Sequence, residues 1–271
     1  MTRPNGPARP ARSPGGGVPS VRRLAAAAAA ALALAGCATT GAVSGPRADP
    51  WEPMNRAVFG FNEALDAAVV KPVATAYTNV VPEAVRFVVS NMIANIADVW
   101  TAANQLLQGK PLEAANDLGR FAINTVFTLG GMGDLAGELG LERHREDFGQ
   151  TLGRWGVPAG PYLVLPFIGP SSVRDAPAFG VDVLADPLRQ VATQGQRNNA
   201  WVVRFIDARA SLLRGERIVE GAALDKYGFI RDAYLQRRRN LVWDGDPPPE
   251  PDDDEDKDAG GARQPGGRPA R

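Results

Sequence analysis

Thiol and imidazole chemistry rest on one residue each in this chain, Cys37 and His144 among 271 residues. A hydrolytic site needs a nucleophile beside a base held by a third group. His144 lies in Glu142-Arg143-His144-Arg145-Glu146-Asp147, which reads as a solvated charged turn, and no G-x-S-x-G motif accompanies it. Phospholipase chemistry is therefore disfavoured. One histidine and one cysteine cannot assemble a zinc site, and a lone cysteine has no disulfide partner. No metal and no cofactor is expected, and the chain is not read as an enzyme. What remains for Cys37 is modification of its own sulfur. Elsewhere the candidate chemistry is noncovalent: a row of amides, Asn91, Asn95, Asn104 and Gln105, at helical spacing in a segment almost free of charge.

The stretch before Cys37 accounts for its place. Arg3, Arg9, Arg12, Arg22 and Arg23 form a basic leader with no acid before Asp49, and Leu24 to Ala35 is a 12-residue apolar run. About 20 apolar residues are needed to span a bilayer, so the run reads as a cleaved secretory signal. Leu34-Ala35-Gly36-Cys37 resembles the bacterial lipobox, whose cysteine takes a diacylglyceryl group and, after cleavage, an acylated amino terminus. The alternative is an ordinary signal cut after Ala33-Leu34-Ala35, with Cys37 a bystander. At roughly 0.8 kcal/mol per buried CH₂, two or three acyl chains make a lasting anchor. In the sorting this motif implies, aspartate after the cysteine favours the inner membrane. Ala38 stands there, so the outer membrane is expected.

Removing residues 1–36 leaves 271 − 36 = 235, enough for one domain with a sizeable core. Residues 37–48 read as a small-residue linker, 49–243 as the folded body and 244–271 as a disordered acidic tail. The body is nearly neutral and has no basic stripe, which argues against nucleic acid.

An all-α body is expected from its periodicity. After Pro82, Val85, Val88, Met92, Ile96, Val99, Ala103 and Leu106 recur at steps of three and four, on one helical face. The opposite face carries Ser90, Asn91, Asn95, Thr101, Asn104, Gln105 and Gln108, with Arg86 and Asp98 the only charges from Val85 to Gln108. Water-exposed helices usually show Lys and Glu pairs instead. Two environments suit such a face: lipid on the apolar side with a wet cavity on the other, or burial within a polar network. Pro111 opens a second helix, with Leu112, Ala115, Leu118, Ala122 and Val126 in register. Arg197 to Arg239 is again helical but dense in charge, and reads as the aqueous side. Thr128 to Ala136 and Gly156 to Pro170 are irregular, and the prolines of the second are expected to block helix and sheet. Each reads as a buried connection or as a loop that touches lipid or gates. No segment of the mature chain reaches 18 apolar residues.

Several motifs in order resemble one family. Asp49-Pro50-Trp51-Glu52-Pro53-Met54-Asn55-Arg56 with Phe59, Phe61 and Asn62 is similar to the opening motif of the VacJ/MlaA lipoproteins. Lys71-Pro72-Val73-Ala74, Asn124-Thr125, Gly130 to Ala136, Phe148 to Gly153, Gly160 to Phe167, Ser172 to Asp175 and Tyr227 to Tyr234 follow in the family's order. The resemblance implies a ring-shaped arrangement of amphipathic helices with irregular Gly/Pro-rich loops, embedded in the membrane beside outer-membrane porin trimers and enclosing an amphipathic channel. It implies an outer-membrane lipoprotein that removes mislocalised phospholipid from the outer leaflet and hands it to a periplasmic phospholipid carrier. On that basis Cys37 is the lipid anchor, Asn91, Asn95, Asn104, Gln105, Phe61 and Asn62 mark the lipid path, and Gly130, Gly131 and Gly133 form a gate. The competing function is a structural, porin-associated lipoprotein without lipid transfer.

Overall fold

A computed structural model describes residues 49–222 and 225–248. The signal, Cys37, the linker and the tail beyond Pro248 lie outside the described residues. Helix α1 (Glu52–Leu65) begins with Pro53 in its first turn, where no amide donor is needed. It continues through a π-helical turn, Asp66–Val70, into α2 (Lys71–Val80). Val81 then turns extended, as a residue ahead of proline must. Helices α3 (Glu83–Leu107) and α4 (Pro111–Phe127) pack along each other as a hairpin. Their connection holds Gly109 at φ +79°, a conformation that favours glycine.

Short helices α5 (Leu135–Glu138) and α6 (Phe148–Arg154) are each capped by an aspartate side chain, Asp134 and Asp147. Strands β1 (Tyr162–Leu165) and β2 (Gly169–Ser172) form an antiparallel hairpin, with Tyr162 opposite Ser172 and Leu165 opposite Gly169. Helices α7 (Asp175–Ala185), α8 (Leu188–Val191), α9 (Gln194–Ala222) and α10 (Lys226–Val242) complete the order. The fold is mostly helical, as its periodicity predicts. The expectation that proline keeps 156–170 out of a sheet is overturned by the hairpin. Pro161 precedes β1 and Pro166 sits in the turn, while Pro170 lies on a strand paired on one side only, where a missing amide is tolerated.

Polarity is inverted relative to a water-soluble domain. Among the described residues, eighteen polar or charged residues are buried against nine hydrophobic ones, five of which are alanine, so bulky apolar packing is not the organising force. Among the described residues, buried hydrophobics cluster at Tyr162, Val164 and Tyr227, with Val58, Phe59, Tyr234 and Leu235 against them. Leu112, Val126, Phe127 and Leu129 are each at least 69% exposed, and Val85, Phe87, Leu106 and Leu107 are exposed on α3. Apolar surface on this scale marks contact with a membrane or a partner. No single helix among the described residues is long and apolar enough to cross a membrane. The stretches 52–80 and 83–107 reach that length together, bent by 119°.

An ionic clamp ties α10 to α6 and α7. Arg238 reaches both oxygens of Asp147, at 2.5 and 2.6 Å, and its Nε bonds Asp175 at 2.9 Å. Tyr234 donates to Asp175 at 2.8 Å and Arg174 Nε donates to it at 2.8 Å. A Cβ on Gly149 would sit 2.3 Å from Arg238, so the clamp needs a glycine there. Burial pushes the Asp175 carboxyl up, but hydrogen bonding from Arg174 and the charge and bonds of Arg238 outweigh it and hold the group down at about 2. A carboxylate held below its unfolded value contributes stability that is complete above that value and lost as pH falls toward the folded one. Thermal stability is therefore expected to drop between about pH 4 and pH 2, by roughly 2 kcal/mol from this group. Melting curves across that range check it, and Arg238→Met should flatten the drop.

Candidate functional site

The amides of α3 meet α4 and its following turn. Asn95 is 2% exposed and donates from Nδ2 to Thr125 Oγ1 at 2.9 Å. Asn91 donates to the Met132 carbonyl at 3.4 Å. One end of Asn104 donates to the Trp100 carbonyl at 3.0 Å, and the other accepts from Thr151 on α6 at 2.8 Å. Gln105 is buried with neither amide atom bonded to another described group. Of the two environments open to this face, the described residues give elements of each: the amides lie within a packed polar network, and the apolar side of the same helix faces outward.

The glycine turn after α4 is pinned to this network. Gly130 and Gly131 take φ +83° and +90°, and their amides donate back to Thr125 and Asn124. A Cβ on Gly131 would fall 2.7 Å from the Asn95 side chain. Gly133 accepts from Thr128 Oγ1 at 3.2 Å. Beneath the turn, Asn124 donates to Asp134 at 3.1 Å and accepts from the Ala136 amide at 2.9 Å, while Arg120 bonds Asp134 at 2.6 Å.

The segment around His144 departs from the solvated turn expected of it. His144 Nδ1 lies 2.9 Å from the fully buried Asp117. Arg143 lies 3.5 Å from Asp98, Glu146 pairs with Lys110 at 3.3 Å, and Asp147 belongs to the Arg238 clamp. Only Glu142 and Arg145 of this run are exposed. The cause is local: buried carboxylates on α3 and α4 need polar partners, and this segment supplies Arg143 and His144.

Phe61 and Asn62 stand at the hairpin. Asn62 donates to the Leu165 carbonyl at 3.0 Å and accepts from the Phe167 amide at 2.8 Å, so one side chain closes both ends of the turn. Phe61 packs edge-on against Phe167 at 5.5 Å. Phe167 takes φ +66°, a conformation its side chain disfavours, and these contacts hold it there. Seven residues earlier, on the same face of α1, Asn55 does the equivalent for β1. It donates to the Tyr162 carbonyl at 3.0 Å, accepts from the Val164 amide at 2.9 Å and donates to Asp49 at 2.7 Å. Asparagines two turns apart on a helix were the available signal for this pairing, and Asn55 was missed as a site residue.

A cavity of about 620 Å³ opens between α2, α3 and α9, lined by Lys71, Tyr77, Arg86, Phe87, Ser90 and Asp207 among others. None of the residues chosen from sequence lines it. Its wall mixes an aromatic ring and aliphatic stems with hydroxyls and charges of both signs, a composition suited to an amphipathic occupant. Asp207 accepts from Tyr77 at 3.2 Å and from Ser90 at 2.7 Å, and Lys71 pairs with Glu216 at 3.1 Å. Beneath, Arg209 grips Asp66 at 2.6 Å and Glu216 at 2.9 Å, joining α9 to the π-helical turn.

Asn55→Ala orphans a buried amide and a carbonyl and removes one of the bonds to Asp49, and is expected to destabilise the fold by roughly 2–3 kcal/mol in chemical denaturation. Asn62→Ala should cost less, about 1 kcal/mol, while amide exchange at Phe167 accelerates, read by hydrogen-exchange mass spectrometry.

Residues 47–241 match the family described as MlaA lipoprotein. The intermembrane phospholipid transport system lipoproteins MlaA of Shigella flexneri and Escherichia coli (strain K12) are 35% and 34% identical over 228 residues, which is 83% of this chain and 90% of each relative. A solved chain described as "Structural basis for maintenance of bacterial outer membrane lipid asymmetry" aligns with TM-score 0.65 and 34% identity, over 72% of this chain and 100% of that one. With similarity of this extent in motif order, sequence and backbone, the chain belongs to the MlaA lipoprotein family.

Proposed function

We propose that this protein is an outer-membrane lipoprotein, acylated at Cys37, that removes mislocalised phospholipid from the outer leaflet and passes it to a periplasmic phospholipid carrier, so preserving lipid asymmetry. The observation that carries this reading is the inverted polarity of α3 and α4, with amides and charges inside and Leu112, Val126 and Phe127 outside. Such a body is stable where its rim meets hydrocarbon and its interior meets polar groups. Embedded as a ring of helices beside porin trimers, it offers a lipid headgroup a polar route, sparing it the several kcal/mol of each unsatisfied polar group in hydrocarbon.

The cavity between α2, α3 and α9 is the place on the path with room for a headgroup and the first part of its chains. Asn91 and Asn95 tie the helix that walls it to the glycine turn and to α4, Asn104 and Gln105 extend the polar face of that helix away from it, and Phe61 with Asn62 fixes the hairpin turn. The glycines 130, 131 and 133 act as a gate only if the contacts from Asn91 and Asn95 release, so Gly131→Ala, which wedges against Asn95, should arrest it. Transfer needs no covalent step: the lipid changes neighbours, not bonds.

Cells lacking the protein should display phospholipid at the surface, and cells carrying Cys37→Ala should do the same, measured by labelling or by an outer-leaflet lipase. Ser211→Trp, which places an indole in the cavity, is expected to reproduce the deletion while leaving melting temperature unchanged. Surface lipid unaltered by deletion would favour a purely structural role.

A further inference from the structure

We infer that Arg86 is the phosphate contact of this cavity, and that the carboxylates around it select phospholipids whose headgroup carries an ammonium group. The inference rests on the transport function proposed above and names what that site recognises. Among the described residues two cations line the cavity, Lys71 and Arg86. Lys71 is engaged by Glu216 at 3.1 Å, and Glu216 is shared with Arg209 at 2.9 Å. Arg86 differs: its Nε is buried without a hydrogen-bond partner, and no carboxylate among the described residues pairs with its guanidinium. A guanidinium left unpaired in a cavity wall is an anion site in waiting, because its planar fork matches two oxygens of a phosphodiester. Glu83, Arg86, Phe87 and Ser90 are the first two turns of α3, so the positive end of the helix dipole reinforces the same preference. Phe87 beside Arg86 gives the adjoining glycerol and acyl carbons an apolar contact.

The remaining charges set the class of headgroup. Among the described residues, Glu83, Asp207 and Glu216 line the cavity against Lys71 and Arg86, an excess of one carboxylate. Glu216 is spoken for by Lys71 and Arg209, whereas Glu83 has no cationic partner among the described residues and Asp207 is held by two hydroxyls, not by a cation. A headgroup that is anionic overall brings a second uncompensated negative charge into this wall. A phosphoethanolamine headgroup brings none, since its phosphate answers Arg86 and its ammonium can donate to Glu83 and Asp207. The charge pattern thus rewards the zwitterion and penalises the anion, which is how a site discriminates between ligands of similar size.

The test uses the full lipidated protein, extracted from membranes and equilibrated with mixed micelles containing equal phosphatidylethanolamine and phosphatidylglycerol, with retained lipid quantified by native mass spectrometry. Wild type should retain the ethanolamine lipid in about fivefold excess, Arg86→Ala should lose about tenfold of both, and Arg86→Lys should recover part of the loss. Glu83→Gln should reduce the selectivity without reducing total lipid. Because the Arg86 side chain makes no hydrogen bond among the described residues, the alanine variant should melt with wild type, and the lysine and Glu83 variants test the assignment independently of it. Full lipid retention by Arg86→Ala, or equal retention of the two lipids by wild type, overturns the inference and leaves the transport function intact. A wild-type protein that neither retains phospholipid nor clears it from the cell surface overturns both.

Discussion

The requirement that buried amides be paired governs this fold, with Gln105 the exception on α3 among the described residues. On α3, Asn91, Asn95 and Asn104 satisfy it on α4, on the glycine turn, on α6 and within α3 itself. Turning those groups inward turns Val85, Leu106 and their neighbours outward. In water this exchange is unfavourable, because apolar exposure is opposed by about 25 cal/mol per Å² and buried polar pairs return only about 1 kcal/mol each. Next to hydrocarbon the apolar term vanishes and the pairing term gains weight. The same helix is therefore a poor element of a soluble domain and a good one at a membrane.

The rest of the structure follows this arrangement. Buried carboxylates Asp98 and Asp117 demand polar partners, and the segment 139–147 is drawn over them to supply Arg143 and His144. Gly131 must lack a side chain because Asn95 occupies the space. Where bulky apolar packing does occur, around Tyr162 and Tyr227, asparagine side chains from α1 still hold the strand that carries it. The Arg238 clamp plays the corresponding part for α10. Polar side chains thus do the positioning that a greasy core does elsewhere, and the cavity between α2, α3 and α9 lies among elements fixed in this way.

Much of the helical scaffold was legible in the sequence, because Pro53, Pro82, Gly109 and Pro111 punctuate strong periodic runs. The neutral face of α3 was legible too, although periodicity says which residues share a face and not what that face meets. The hairpin was hidden by its prolines: their spacing reads as a block to sheet unless the strands pair on one side alone and α1 supplies the missing bonds. Arg86 is one of the two charges between Val85 and Gln108, but its lack of a partner among the described residues depends on α2 and α9, the latter more than a hundred residues away in the chain. The same distance concealed the Asn55 contacts, since β1 lies 107 residues on from Asn55.

The central claim is that the outer face of α3 and α4 contacts hydrocarbon while the cavity wall contacts water and headgroups. With Cys37 acylated, single engineered cysteines at Leu112, Phe127 and Ser211 can each carry a spin label in bilayer-reconstituted protein, and collision with oxygen or with a water-soluble nickel chelate reports the surroundings. Labels at 112 and 127 should collide with oxygen and be shielded from nickel, and the label at 211 should show the reverse. Equal nickel access at all three positions would mean that the apolar exterior faces water, contradicting the claim.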